Sequence, residues 1–171
     1  VTIVPRGMAL GVTMMLPERD LYLKTRKRLL AEICVSLGGR LAEELVFGEI
    51  TTGAESDLNR VSDIAKAMVK QYGMSGLGER VYVGEGQTDF FGRNFGGAEY
   101  SEDTARKIDE EILKIIAEQK KRVQELLSER RVQLDALANA LLEHEMVEGE
   151  ELKTILGLGP QWIDIETKDL D

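Results

Sequence analysis

Residues 24–47 read KTRKRLLAEICVSLGGRLAEELVF, and their apolar positions recur at helical rather than strand spacing. Leu30, Cys34, Leu37, Leu41 and Leu45 follow one another at intervals of three or four, with Leu29 and Ile33 beside them. Side chains three and four apart share one face of an α-helix. The spacing therefore predicts an amphipathic helix over about 24–47, ended by Gly48. Gly38-Gly39 lies inside it. Two glycines in a helix interior cost about 2 kcal/mol relative to alanine. That cost argues for a reason, such as a second backbone packed closely against this face.

Working outward, Val1–Val4 and Gly11–Met15 are rich in β-branched and apolar residues, and Pro5-Arg6-Gly7 punctuates between them. This predicts a small antiparallel β unit with strands near 1–4 and 11–15, closed by Pro17. Downstream, Leu58, Val61, Ala65, Met68 and Tyr72, with Ile64 and Val69 alongside, predict a second helical segment over about 53–72, with Gly73 just past its end. Residues 73–100 are glycine-rich and read as a long irregular loop, with one short strand at Val81–Val83. Ser101 then caps a long helix, and Glu102 and Asp103 suit its first turn. Ile108, Ile112, Ile115, Val123 and Leu126 form its stripe. A change of stripe phase near Ser128–Arg131 starts a further helix carrying Leu134, Leu137, Leu141 and Leu142, so a long antiparallel helical hairpin is expected. Glu150–Leu156 is a short last helix, and 157–171 a tail. The fold class is mainly α with a small β unit near the N-terminus.

Composition narrows the function classes. A chain of 171 residues suits one domain, and 43% hydrophobic residues can build a core within a strongly charged shell. The formal charge of −9 repels phosphate backbones and argues against nucleic acid as a partner. Cys34 is the single cysteine, so no internal disulfide forms, and its apolar neighbours predict a buried reduced thiol. No apolar run is long enough to cross a bilayer and no secretory leader is recognisable, so any membrane anchor is expected outside these residues.

The residues alone show no complete active site. The only histidine, His144, stands between Glu143 and Glu145 near a predicted helix end, where a surface role is the ordinary one. No Ser–His–Asp set can be assembled around it convincingly, and no Gly-x-x-x-x-Gly-Lys-Ser/Thr phosphate loop occurs. One local constellation remains, Thr51-Thr52-Gly53-Ala54-Glu55-Ser56-Asp57. Asp57 falls early in a predicted helix, where the positive dipole end keeps a carboxylate ionised, as an oxygen ligand to zinc must be. An acid in a first turn more often only stabilises its helix, so both roles stay open on these grounds. Glu43 and Glu44 are adjacent on a helix and point about 100° apart, so they cannot chelate together from one face.

Several spaced segments, in order, resemble the FtsH family of membrane-anchored, ATP-dependent zinc metalloproteases. They are Val1-Thr2-Ile3-Val4-Pro5-Arg6-Gly7-Met8-Ala9-Leu10-Gly11 with Leu16-Pro17-Glu18, Gly38 through Gly48, and Thr51 through Leu58. Tyr72-Gly73-Met74-Ser75 and Ser101-Glu102-Asp103-Thr104-Ala105 continue the likeness, which covers about residues 1–156. The resemblance implies a helical zinc-peptidase domain over 1–156, with 157–171 as a C-terminal tail. It implies that Asp57 is the third protein ligand to zinc, and that Glu44 is an outer neighbour of the metal or an alternative ligand. Gly11, Val12, Thr13, Met14 and Met15 are then the edge strand along which an extended substrate lies.

The family's other ligands and its general base come from a His-Glu-x-x-His helix, which does not occur in these residues and is expected a short way upstream of Val1. This stretch alone is therefore expected to be a fragment that holds zinc weakly and cleaves nothing. The resemblance further implies a homo-oligomer, six by family, taking unfolded polypeptide and membrane-protein substrates. ATP and magnesium would act only through a separate ATPase domain. The parent would sit in a bacterial inner membrane or an organelle equivalent, with this domain on the cytoplasmic or matrix-like side. The alternatives are a non-catalytic FtsH-like subunit with a structural or chaperone-like role, and a plain helical adaptor.

Overall fold

Thr25 opens the first helix: its extended backbone leaves the helix and its side chain accepts the Arg28 N–H at 3.2 Å. The computed structural model describes residues 1–5, 13, 23–82 and 100–158. Among these, α1 spans Arg26–Phe47, a single 3-10 turn spans Thr52–Ala54, and α2 spans Glu55–Lys70. Helix α3 spans Glu102–Glu129, α4 Arg131–His144 and α5 Gly149–Leu156. The mainly helical class is as expected. Among the described residues no helix is long and apolar enough to cross a membrane.

The chain divides into two compact units. One is Leu21–Leu126, and the other combines Val1–Asp20 with Leu127–Asp171. In the first, α1 packs against α2. Leu29, Ile33, Leu37 and Leu41 of α1, Val61, Ala65, Met68 and Val69 of α2, and Ile108, Ile115 and Val123 of α3 are its buried apolar residues, with Ala54 and Tyr82. The buried faces are rotated from those expected. Leu30 and Cys34 are half-buried, while Leu45, Leu58, Tyr72 and Leu126 are exposed. A stripe read from spacing allows an arc of about 100°, and the face turned inward depends on the partner. In α3, Gln119 is buried in the stripe and accepts from Cys34 Sγ at 3.5 Å. Cys34 is thus half-buried rather than buried. Burial pushes its thiol pKa up, against the pull of Arg122.

Two further expectations are corrected in this unit. An ideal Cβ at Gly38 or Gly39 would meet nothing within 4 Å, so no described backbone packs against the pair. Val81 and Tyr82 form no strand; the Tyr82 N–H donates instead to the Lys70 carbonyl at 2.7 Å, and its ring meets Tyr100 edge-on at 5.8 Å. Gly73 takes a left-handed φ of 60°, and a Cβ there would lie 3.2 Å from Glu79 Cα. Ser101 caps α3 as expected, its Oγ accepting the Thr104 N–H at 3.3 Å.

In the other unit, α4 packs against α5. The expected small β unit between 1–4 and 11–15 is not shown, since only Thr13 of its second strand is described. Thr2 makes an antiparallel bridge with Met146. Val147 N–H donates to the Val1 carbonyl at 2.9 Å and Ile3 N–H to the Glu145 carbonyl at 3.0 Å. Residues 11, 12, 14 and 15 lie outside the described residues, as do 83–99 and 159–171. The hairpin expected of α3 and α4 straddles the division between the units. The break between its helices falls at Arg130, where the change of stripe phase put it.

Candidate metal-ligand turn

Helix α1 ends at Gly48, whose φ of 72° is left-handed and whose N–H donates to the Glu44 carbonyl at 3.0 Å. The chain then folds back, and Thr51 meets the last turns of α1. Thr51 Oγ1 donates to Glu43 Oε2 at 3.1 Å, and the Thr51 N–H reaches the same oxygen at 3.4 Å. The same hydroxyl accepts the Gly53 N–H at 3.2 Å. A Cβ at Gly53 would come within 3.3 Å of that hydroxyl, so the glycine allows the close approach. Ala54 is buried at the junction with α2. Thr51, Gly53 and Ala54 thereby each have a local physical role in bringing the chain into α2.

The turn delivers Glu55 and Asp57 to the first turn of α2, where the helix dipole favours negative charge. Asp57 is exposed, and among the described residues no ion pair or side-chain hydrogen bond engages its carboxylate. It lines an open cleft of about 680 Å³ together with Lys24, Glu32, Arg60, Asp63 and Ile64. The cations at this cleft converge on one carboxylate of its lining. Glu32 pairs with Lys24 at 2.8 Å, Arg60 at 3.4 Å and Arg28 at 3.9 Å. Burial opposes ionisation of Glu32, yet Lys24 and Arg60 together hold its pKa below the usual carboxylate value. An unpaired oxygen donor beside a carboxylate bridged by three cations is thus the chemical character of this surface.

Among the other residues singled out from sequence, Glu44 is exposed in the last turn of α1. Its neighbour Glu43, not Glu44, carries the contact to the Thr51 turn. That residue was legible only as one of an acidic pair; the signal that finds it is the glycine stop at Gly48 followed by a threonine. Thr13 is exposed, and the rest of Gly11–Met15 lies outside the described residues. The His144 side chain is 58% exposed, in keeping with a surface role.

Among the described residues no three His, Cys, Asp or Glu side chains are grouped to hold a metal ion. Zinc sites take at least three protein ligands. Asp57 therefore fits one oxygen position of such a site and no more.

The model of peptidase family M41 matches residues 1–155. A protein of Slackia heliotrinireducens named ATP-dependent zinc metalloprotease FtsH is 45% identical over 158 residues, covering 91% of this chain and 20% of its own length. Proteins of the same name from Thermobaculum terrenum and Pseudothermotoga lettingae are 48% and 47% identical, each with 25% of its length covered, against 93% and 91% of this chain. The chain thus spans a fifth to a quarter of the relatives it matches.

Proposed function

Since this chain belongs to peptidase family M41, as an FtsH-family peptidase domain, we propose that it is the proteolytic part of a membrane-anchored, ATP-dependent zinc endopeptidase. The observation that carries the proposal is the free Asp57 carboxylate, held in the first turn of α2 by a Thr-Gly-Ala turn and facing an open cleft. In this reading Asp57 is the one zinc ligand this stretch contributes. Glu44 stands near the metal as an outer neighbour or alternative ligand. Zinc, when bound, supplies Lewis-acid polarisation of the scissile carbonyl and acidifies a water. Gly11–Met15 aligns an extended polypeptide by main-chain hydrogen bonds, which suits substrates chosen for being unfolded rather than for a sequence.

The remaining ligands and the general base come from a His-Glu-x-x-His helix elsewhere in the parent protein, and ATP acts through a separate ATPase domain. The parent assembles as a homohexamer, anchored by segments outside these residues, with this domain on the cytoplasmic or matrix-like side.

The test uses the parent protein containing that helix. It should bind zinc and cleave casein, and Asp57→Asn should abolish both while leaving the helical content intact. Unchanged zinc content in Asp57→Asn would remove Asp57 from the site.

A further inference from the structure

We propose that Glu43 is a positioning residue for Asp57, acting through the Thr51 hydroxyl. The inference rests on the assignment of Asp57 as a zinc ligand. It begins with how α2 starts. Its N-cap, Ala54, makes no side-chain hydrogen bond, so the first turn lacks a cap of its own. The preceding 3-10 turn supplies the order instead, and Thr51 is the side chain that caps it.

A threonine hydroxyl has one proton and two acceptor lone pairs. Its proton points to Glu43 Oε2, 3.1 Å away on α1. An ionised carboxylate can only accept, so it forces the hydroxyl to donate in that direction. That commitment leaves an oxygen lone pair for the Gly53 N–H at 3.2 Å. The Glu55 N–H then closes the turn on the Thr52 carbonyl. Glu43 thus orients the hydroxyl, the hydroxyl shapes the turn, and the turn aims the helix that bears Asp57. A metal ligand must be held to within about half an ångström of its productive position. Here that restraint comes from the end of the preceding helix, eight positions back along the chain from Thr51.

The experiment measures zinc affinity of the full-length parent protein by competition with a chromophoric chelator, with casein cleavage as a second readout. Glu43→Ala and Thr51→Val should each weaken zinc binding about 10- to 100-fold, the range for residues that orient a metal ligand. Glu43→Gln and Thr51→Ser retain an acceptor and a hydroxyl, and should stay within about threefold of the parent. The double variant Glu43→Ala/Thr51→Val should be no weaker than the worse single one, because both break one relay.

Losses that multiply in the double variant, or unchanged affinity in Glu43→Ala, would overturn the relay. So would a loss in Glu43→Ala equal to that of Asp57→Asn with Thr51→Val unaffected, which would make Glu43 a ligand itself. If Glu43→Ala does not fold, as read by circular dichroism, Thr51→Val against Thr51→Ser decides by the same criteria. Asp57→Asn separates the two levels. Zinc retained in that variant defeats the ligand assignment, and the relay with it. Zinc lost there but kept in Glu43→Ala and Thr51→Val defeats the relay alone.

Discussion

The backbone N–H of Gly76 donates to the Glu111 carboxylate at 2.9 Å across thirty-five positions of chain. The bond ties the turn after α2 to the middle of α3, and Arg26 Nε adds a second tie to the same turn through the Met74 carbonyl at 3.3 Å. The Gly76 N–H holds the Glu111 carboxyl below its usual pKa, against the opposing effect of burial, with Lys114 assisting at 3.2 Å.

This pair makes stability depend on pH in a definite direction. A carboxyl whose pKa is lowered by folding contributes stability above its unfolded pKa of about 4.3 and loses it as pH falls through the folded value. Glu111→Gln should therefore be less stable by about 1 kcal/mol at pH 7, a typical worth for one hydrogen bond. In urea unfolding, that deficit should shrink as pH drops below 4. An equal deficit at both ends of the range would show that charge on Glu111 contributes nothing.

Nothing described approaches the glycine pair of α1, and the helix pays its full propensity penalty there. Gly39→Ala should stabilise the chain by about 1 kcal/mol, and Gly38→Ala by a similar amount. The check is the denaturant midpoint at unchanged m-value. A loss of stability in either variant would mean that a neighbour does press on that face.

Ile33 and Met68 are fully buried, one on each of the two helices that pack together. Truncation of either to alanine removes buried methylene groups and leaves a cavity, at about 2–5 kcal/mol. Leu58→Ala, on an exposed position of α2, should cost under about 1 kcal/mol by the same transfer argument. Thermal unfolding of the three variants should rank them accordingly, and a Leu58→Ala as damaging as Ile33→Ala would contradict the observed face of α2.

Glu145 ends α4 with a left-handed φ of 59°, the single positive φ outside glycine among the described residues. A side chain in that conformation costs about 1 kcal/mol. Glu145→Gly should raise stability by up to about that amount, read as a rise in the unfolding midpoint. The gain should persist with salt, because it comes from backbone strain rather than charge.

Much of this fold is written in local pattern. Five helix-forming segments, the cap at Ser101, the stop at Gly48 and the break at Arg130 are each set by residues within a turn or two of one another, because helical hydrogen bonds span only four positions. The same locality made Thr51–Asp57 recognisable as a motif. Tertiary structure decided what required distant segments to meet. It turned Leu29 and Ile33 inward in place of Leu30 and Cys34, and exposed Leu45, Leu58 and Tyr72. It gave Thr2 the partner Met146, and it chose Glu43 over Glu44 to hold Thr51. Periodicity marks an apolar arc but not the angle at which a partner docks, and backbone pairing depends on which segment arrives alongside. Those choices belong to packing, and a linear pattern does not contain them.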